Sequence, residues 1–313
     1  MADINKIIGV AATAITKVSG VAISGIAKVI DQVVAAGLST ITDVKAVAKS
    51  ITTGTTQAVY ITDSNGYYNY DHNDPFTVSF WIKVGWNVSL NATVYLFSSS
   101  DVNAPSANKD TFRIWYYEPH NRIYVEWRDN NGYKKQNFWL FHSTSPPYGT
   151  AYTAAGLGGT YWNSSNRGNA NSDGYTLITV TRGTTNSAAS SNLKLYWNDA
   201  SCGAGFYASG GGSGTPNMGN TTDKQIALAS DTWNFSDSGN NTETKFNGVS
   251  IWDKVLTAAE VTELYNDGVP GDLTSHTAAT NLKGFWNFET NGSNEIAGGP
   301  AFTINGNSNV ENK

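Results

Sequence analysis

Short runs of alternating apolar and polar residues, divided by Asn-, Gly-, Ser- and Pro-rich turns, recur along this chain from Tyr60 onward. In "FTVSFWIKV" (76–84), Phe76, Val78, Phe80 and Ile82 fall on one side, and Thr77, Ser79, Trp81 and Lys83 on the other. A period of two is the mark of a half-buried strand. Similar runs stand at 93–99, 111–118, 122–129, 136–142, 175–182, 192–199, 224–230, 246–253, 281–289 and 301–306. Many short strands joined by polar turns bury their apolar sides by stacking as two sheets. The expected fold class is therefore all-β, a two-sheet sandwich.

One stretch departs from that pattern. In "FNGVSIWDKVLTAAEVTELYNDG" (246–268), Val249 and Ile251 point one way along a strand, and Ser250 and Trp252 the other. Then Thr257-Ala-Ala-Glu260 has the form of a capping box, in which the Thr257 hydroxyl accepts from the Glu260 N–H and Glu260 reaches back to the Thr257 N–H. Leu256 and Val261 are placed to form a hydrophobic staple. Val261, Leu264 and Tyr265 make one apolar face, and Gly268 is a natural stop. A short helix near 257–266, docked by one face after a buried strand, is expected.

The 313 residues allow one large β domain with an extension, or two domains. The net charge is −5 and no Lys/Arg-rich cluster appears, which excludes the basic footprint of a nucleic-acid binder. Cys202 stands alone, so no disulfide framework or CxxC metal cluster is available, and it reads as a small, partly buried residue. No apolar run approaches the ~20 residues of a membrane span, and the N-terminus lacks the layout of a signal peptide. The Asn-X-Ser/Thr triplets are read as accidents of an Asn-rich chain.

Residues 1–59 contain no aromatic residue and no Pro, so the expected boundary lies between 59 and 60. An eleven-residue repeat begins at Ile4, Ile15 and Ile26. Its apolar positions are Ile4, Ile7 and Val10, then Ile15, Val18 and Val21, then Ile26 and Val29. The period suits a right-handed helical supercoil, but Gly and β-branched residues inside each repeat oppose a helix. Extended strand–turn structure is favoured for 1–30 and a helix for about 31–50. Three copies cannot bury this stripe alone. It is expected to act as an extended, oligomerising and anchoring arm, packing against identical chains, most simply as a homotrimer, or against another protein.

The succession "FTVSFWIKV", "DGYTLITVTR", "NLKLYWND" and "FNGVSIWDKVLTAAEVTELYNDG" resembles the laminin-G-like jelly-roll domains of the wider concanavalin A-like lectin/glucanase fold. "NLKGFWNFE" with "NEIAGGPAFTING" resembles a strand pair of these domains, here placed at the C-terminal end, which implies a permuted strand order. The resemblance covers roughly 60–310. Separately, "INKIIGVAATAITKVSGVA" is similar to leaders of structural proteins of tailed phages, marine ones in particular. That likeness implies attachment to a virion, with capsid or tail proteins as partners and the sandwich displayed on the particle surface.

Glycoside hydrolysis needs a pair of carboxylates about 5–10 Å apart. Glu126 and Asp129, three apart on a strand, fall on opposite faces, while Glu260 and Glu263 lie on the helix. His72, His120, His142 and His276 have no GxSxG partner and are expected on polar loops. No enzyme is read here. Binding has better candidates. The resemblance implies a calcium site at a loop edge, for which Asp63, Asp71 and Asp74 in "TDSNGYYNYDHND" offer hard oxygen donors without EF-hand spacing. Trp86, Trp115, Tyr117, Tyr161, Trp162 and Arg167 combine ring faces with polar neighbours in segments expected to be loops, as carbohydrate recognition requires. Residues 143–174 and 200–222 read as long Gly/Ser/Asn loops, where binding commonly resides. The expected function is a virion structural protein, a capsid decoration or fibre-like element with possible Ca2+ and host-glycan binding. The rival is a carbohydrate-binding adhesin, the receptor-binding protein of the tail.

Overall fold

The computed structural model describes residues 17–18, 21–22, 42–47, 59–63, 66–68, 70, 74–85, 93–101, 111–117, 122–129, 132–139, 175–183, 193–202, 204–210, 224–229, 243–268, 270–288, 291–304 and 309–312. Two compact units result, Met1–Thr40 and Ile41–Lys313. In the first, β1 (Lys17–Val18) and β2 (Val21–Ala22) form an antiparallel ladder that pairs Val18 with Val21. This is extended structure, as the glycines and β-branched residues of the repeat favour. Ile4, Ile7, Val10, Ile15, Ile26 and Val29 lie outside the described residues.

The second unit opens with β3 (Thr42–Val47) and β4 (Val59–Asp63). The helix expected over 31–50 is therefore corrected at 42–47. There β3 pairs with a long strand of the sandwich, and sheet hydrogen bonding overrides the weak helical preference of "TDVKAV". The chain continues through β5 (Phe76–Gly85), β6 (Thr93–Asp101), β7 (Thr111–Tyr117), β8 (Arg122–Asp129) and β9 (Gly132–Trp139). Next come β10 (Thr176–Arg182), β11 (Leu193–Trp197), β12 (Ala200–Ser201), β13 (Ala204–Gly210), β14 (Lys224–Leu228) and β15 (Glu243–Trp252). After β15 stand the helix α1 (Ala258–Tyr265), β16 (Leu282–Trp286), β17 (Thr303–Ile304) and β18 (Asn309–Asn312). The loop expected over 200–222 is corrected at β12 and β13, where small residues pair with neighbouring strands.

All pairings among the described residues are antiparallel. One sheet runs β12-β11-β10-β5-β15-β3-β18, with β16 also on β15; the other runs β13-β9-β8-β7-β6-β14-β4-β17. Their inner faces meet in one aromatic and aliphatic core. Phe80 stacks parallel to Phe97 at 6.4 Å, and Phe112 meets Phe76 edge-on at 5.1 Å. The chain is an all-β jelly-roll sandwich, with one short α-helix among the described residues.

A second apolar layer lies on the outside of the first sheet. Trp81, Leu177, Tyr196, Trp252 and Phe285 face outward there, and α1 covers them with Leu256, Val261 and Leu264. Trp81 stacks on Tyr265 at 5.7 Å. The capping box forms as expected: Glu260 N–H donates to Thr257 Oγ1 at 3.3 Å, and Thr257 N–H donates to Glu260 Oε2 at 2.8 Å. The helix ends at Asn266, in the left-handed region at φ 46°, two residues ahead of the expected stop at Gly268. Several polar residues beneath the helix are hydrogen-bonded. Thr77 Oγ1 donates to Lys254 O at 2.6 Å and accepts from Leu256 N–H at 3.1 Å. Ser250 Oγ accepts from Trp252 Nε1 at 2.8 Å and lies 2.5 Å from Ser79 Oγ. A bulge in β15 restores the inward aim of Val249 after Phe246, and Gly248 absorbs it at φ 51°.

Candidate functional site

Strand register decides what the outer face of the second sheet presents. Across β6, β7, β8 and β9 one row pairs Tyr95, Trp115, Tyr124 and Asn137. The next row pairs Ser98, Arg113, Glu126 and Lys135. Inward-facing neighbours such as Ile114 and Val125 are in the core, so Tyr95, Trp115 and Tyr124 of the one row and Ser98, Arg113 and Glu126 of the other face outward. Trp115 and Tyr124 are stacked nearly parallel at 5.3 Å, and Tyr95 lies 6.4 Å from Trp115. Tyr124 is buried, while Tyr95 and Trp115 remain half-buried. The buried ring supports a partly accessible one, the usual way a sheet holds an aromatic platform. Arg113 and Glu126 are cross-strand partners, both buried, beside the rings.

Of the expected carbohydrate residues, Trp115 lies in this ladder, and Tyr117 occupies the adjoining register position, paired with Thr93 and Arg122. Both belong to strand β7 rather than to a loop, which corrects that expectation. Trp86, Tyr161, Trp162 and Arg167 lie outside the described residues. Tyr95 and Tyr124 were legible as strand aromatics but were not singled out. Only the register brings them beside Trp115.

Of the expected calcium ligands, Asp63 and Asp74 are among the described residues. Asp63 is buried at the end of β4 and accepts from Tyr68 N–H at 2.6 Å. Asp74 is half-buried, and Asp71 lies outside the described residues. Among the described residues no three of His, Cys, Asp and Glu group as a metal site. Glu126 is buried on β8, which also carries Asp129 at its end. His276 is corrected from its expected polar loop. It is buried, with its ring 4.9 Å from Trp252, its Nδ1 accepting from Ala278 N–H at 3.0 Å, and its Nε2 3.0 Å from Glu260 O. His72, His120 and His142 lie outside the described residues. Burial pushes the Cys202 thiol up to about 12, although a hydrogen bond with the Trp197 backbone works the other way, which disfavours the thiolate at neutral pH. The core also encloses a cavity of about 30 Å³ beside Tyr68, Tyr70 and Ser99, room for water but not for a sugar. Among the described residues no helix is long and apolar enough to cross a membrane.

No family model and no curated protein matches the chain. Solved structures of similar architecture do. The native heptameric SAP-like pentraxin from Limulus polyphemus is 11% identical, with 87% of this chain and 95% of that chain covered and a TM-score of 0.43. The botulinum neurotoxin serotype C1 binding domain is 14% identical, covering 72% of this chain and 47% of that one, with a TM-score of 0.39. A botulinum neurotoxin type C structure, from work on cell entry dependent upon two ganglioside molecules, is 13% identical, with 72% and 46% covered and a TM-score of 0.40. The chain thus spans about half the length of the toxin structures it matches. The sandwich is defined by its own strand order and register, and what those proteins bind belongs to them.

Proposed function

We propose that this chain is a non-catalytic recognition module that binds saccharide on the outer face of its second sheet and is carried on a virus particle by the N-terminal segment that holds the eleven-residue repeat. The carrying observation is the Tyr95–Trp115–Tyr124 ladder beside Arg113 and Glu126. Rings match the apolar faces of sugars, and flanking polar side chains suit their hydroxyls. Particle attachment rests on the eleven-residue repeat, whose apolar stripe needs a partner, and on its likeness to phage leaders. Oligomerisation of the arm, with the trimer as its simplest form, belongs to the same proposal.

Saccharide-array binding by the full chain and by Trp115→Ala, with thermal melts of both, tests the recognition role. Binding by the parent and its loss in a folded Trp115→Ala supports the reading. Equal binding by both variants, or none by either, overturns it. Mass spectrometry and immunogold labelling of purified particles test the location. Regular labelling of the capsid favours a decoration role, labelling confined to the tail favours a receptor-binding adhesin, and absence from particles sinks the virion reading.

A further inference from the structure

The apolar layer under α1 is closed by a residue that the saccharide face does not use. His276 follows a short helical turn, Leu273–Ser275, in the chain between α1 and β16. Its side chain is 2% exposed, and its ring lies 4.9 Å from that of Trp252, a member of the layer. The two ring nitrogens have different, fixed roles. A backbone amide only donates, so Nδ1, 3.0 Å from Ala278 N, is an acceptor and carries no proton. A carbonyl only accepts, so Nε2, 3.0 Å from Glu260 O, carries the hydrogen. One neutral tautomer thus ties the first turn of α1 to the backbone at Ala278 and packs both against β15.

That arrangement has no place for a second proton. A ring protonated at both nitrogens turns an N–H toward the Ala278 N–H, and two donors then face each other in a buried site. Glu263 favours a charged ring by its field, but its Oε2 stands 3.7 Å from Nε2, beside the nitrogen that already holds a hydrogen. Its oxygens also accept from Thr277, from the N–H at 2.9 Å and from Oγ1 at 2.5 Å. The other charged groups described on the surrounding elements are engaged elsewhere. Glu260 of α1 is held by Lys254 and Thr257. Asp253, just after β15, takes Lys283 of β16 at 3.0 Å and Asn281 at 2.9 Å, and Asp272 accepts from Thr274 N–H at 2.9 Å.

We propose that His276 is an acid-sensitive latch: a proton on Nδ1 breaks the Ala278 bond and loosens residues 273–281 and the first turn of α1 from the first sheet, baring the apolar layer around Trp252 while the sandwich core stays folded. The latch stands apart from the saccharide reading and from the virion reading. Histidine is the side chain that changes charge between about pH 5 and about pH 8. The event therefore falls above the range in which carboxylates such as Glu260 titrate.

The test follows the full chain by NMR from about pH 7.5 to about pH 5. The His276 ring signals should titrate in this range. Protection of the Ala278 amide, corrected for the intrinsic pH dependence of exchange, should fall about tenfold or more in step with them. Ile178 and Val180, buried in β10 between β5 and β11, should keep their protection. In His276→Gln, which keeps a donor and an acceptor but does not titrate, the Ala278 profile should be flat. A ring that stays uncharged down to about pH 5 overturns the latch. So does a protected Ala278 amide beside a titrating ring, or the parent's profile persisting in His276→Gln. Equal loss of protection at Ile178 and Val180 would be global acid unfolding and would overturn it as well. Should His276→Gln fail to fold, the ring and amide signals of the parent decide alone.

Discussion

On the first sheet the outward residues include Trp81, Leu177, Tyr196 and Trp252, and α1 closes over them; on the second they include Tyr95, Arg113, Trp115, Tyr124 and Glu126. Both sheets turn their aliphatic and Phe side chains toward one shared core. The contrast teaches how one alternation serves two ends. Apolar outward residues need a cover, and the capped helix supplies it. Rings mixed with charges are the composition of a recognition surface. The sandwich is thus a structural face backed onto a candidate working face.

The sharpest test of this contrast replaces one tryptophan on each face. Trp252→Ala is expected to cost about 3–5 kcal/mol, since the ring is fully buried and its Nε1 is bonded to Ser250. Trp115→Ala is expected to cost about 0.5–1.5 kcal/mol, the scale of a stacked pair, and to act mainly on ligand affinity. Chemical denaturation of both variants decides it. Equal losses would make the second face a seal like the first. Gly248→Ala comes next, at about 1–3 kcal/mol, because the position has φ 51° and a Cβ there would sit 3.0 Å from Trp81 Cδ1. A melting temperature unchanged by this substitution would show that the bulge is not needed to seat Trp81.

Thr257→Ala removes the cap of α1 and is expected to cost about 1 kcal/mol, read from the denaturation midpoint, with saccharide binding unchanged. The smallest effect is one of acidity. Partial desolvation works against the Glu260 charge, but hydrogen bonds from Lys254 and Thr257 outweigh it and hold the carboxyl below the usual glutamate range. A depressed folded value means its contribution is present above the ordinary glutamate value of about 4.3 and is lost as pH falls through the folded one. Amide exchange over 258–265 should therefore quicken in acid. In Glu260→Gln, which keeps a capping-box side chain, it should be quicker at neutral pH and flatter with pH. A parent profile flat through that range would dismiss this contribution.

Much of this fold was legible. "RIYVEWRD" alternates so cleanly that its expected bounds coincide with β8, and the Thr257–Glu260 box fixed the start of α1. What escaped notice had weak local signals. β13, "AGFYASG", has too many small residues to declare a strand, and its pairing with β9 is settled by the sheet. β9 begins at Gly132, four residues before its first clear alternation, because the turn from β8 sets the register rather than "GYKK" itself. The candidate site was half legible. Trp115 and Tyr117 were visible as ring-bearing residues, but Tyr95 and Tyr124 become their neighbours only through pairing across strands. His276 gave no sign of burial, since its partners are backbone groups of residues 260 and 278.

The pairing of β3 with β18, in which Thr42 is the Cα partner of Asn312, carries a consequence for how the unit is made. The strand that opens this unit pairs with the one that closes it, so the contact joins residues about 270 apart in the chain. Loop-closure entropy makes such a contact late and slow. Joining 312 to 42 by a short linker and opening the chain at an exposed turn elsewhere would convert this longest-range pair into a local hairpin. Such a permutant should reach the same folded state by a faster route.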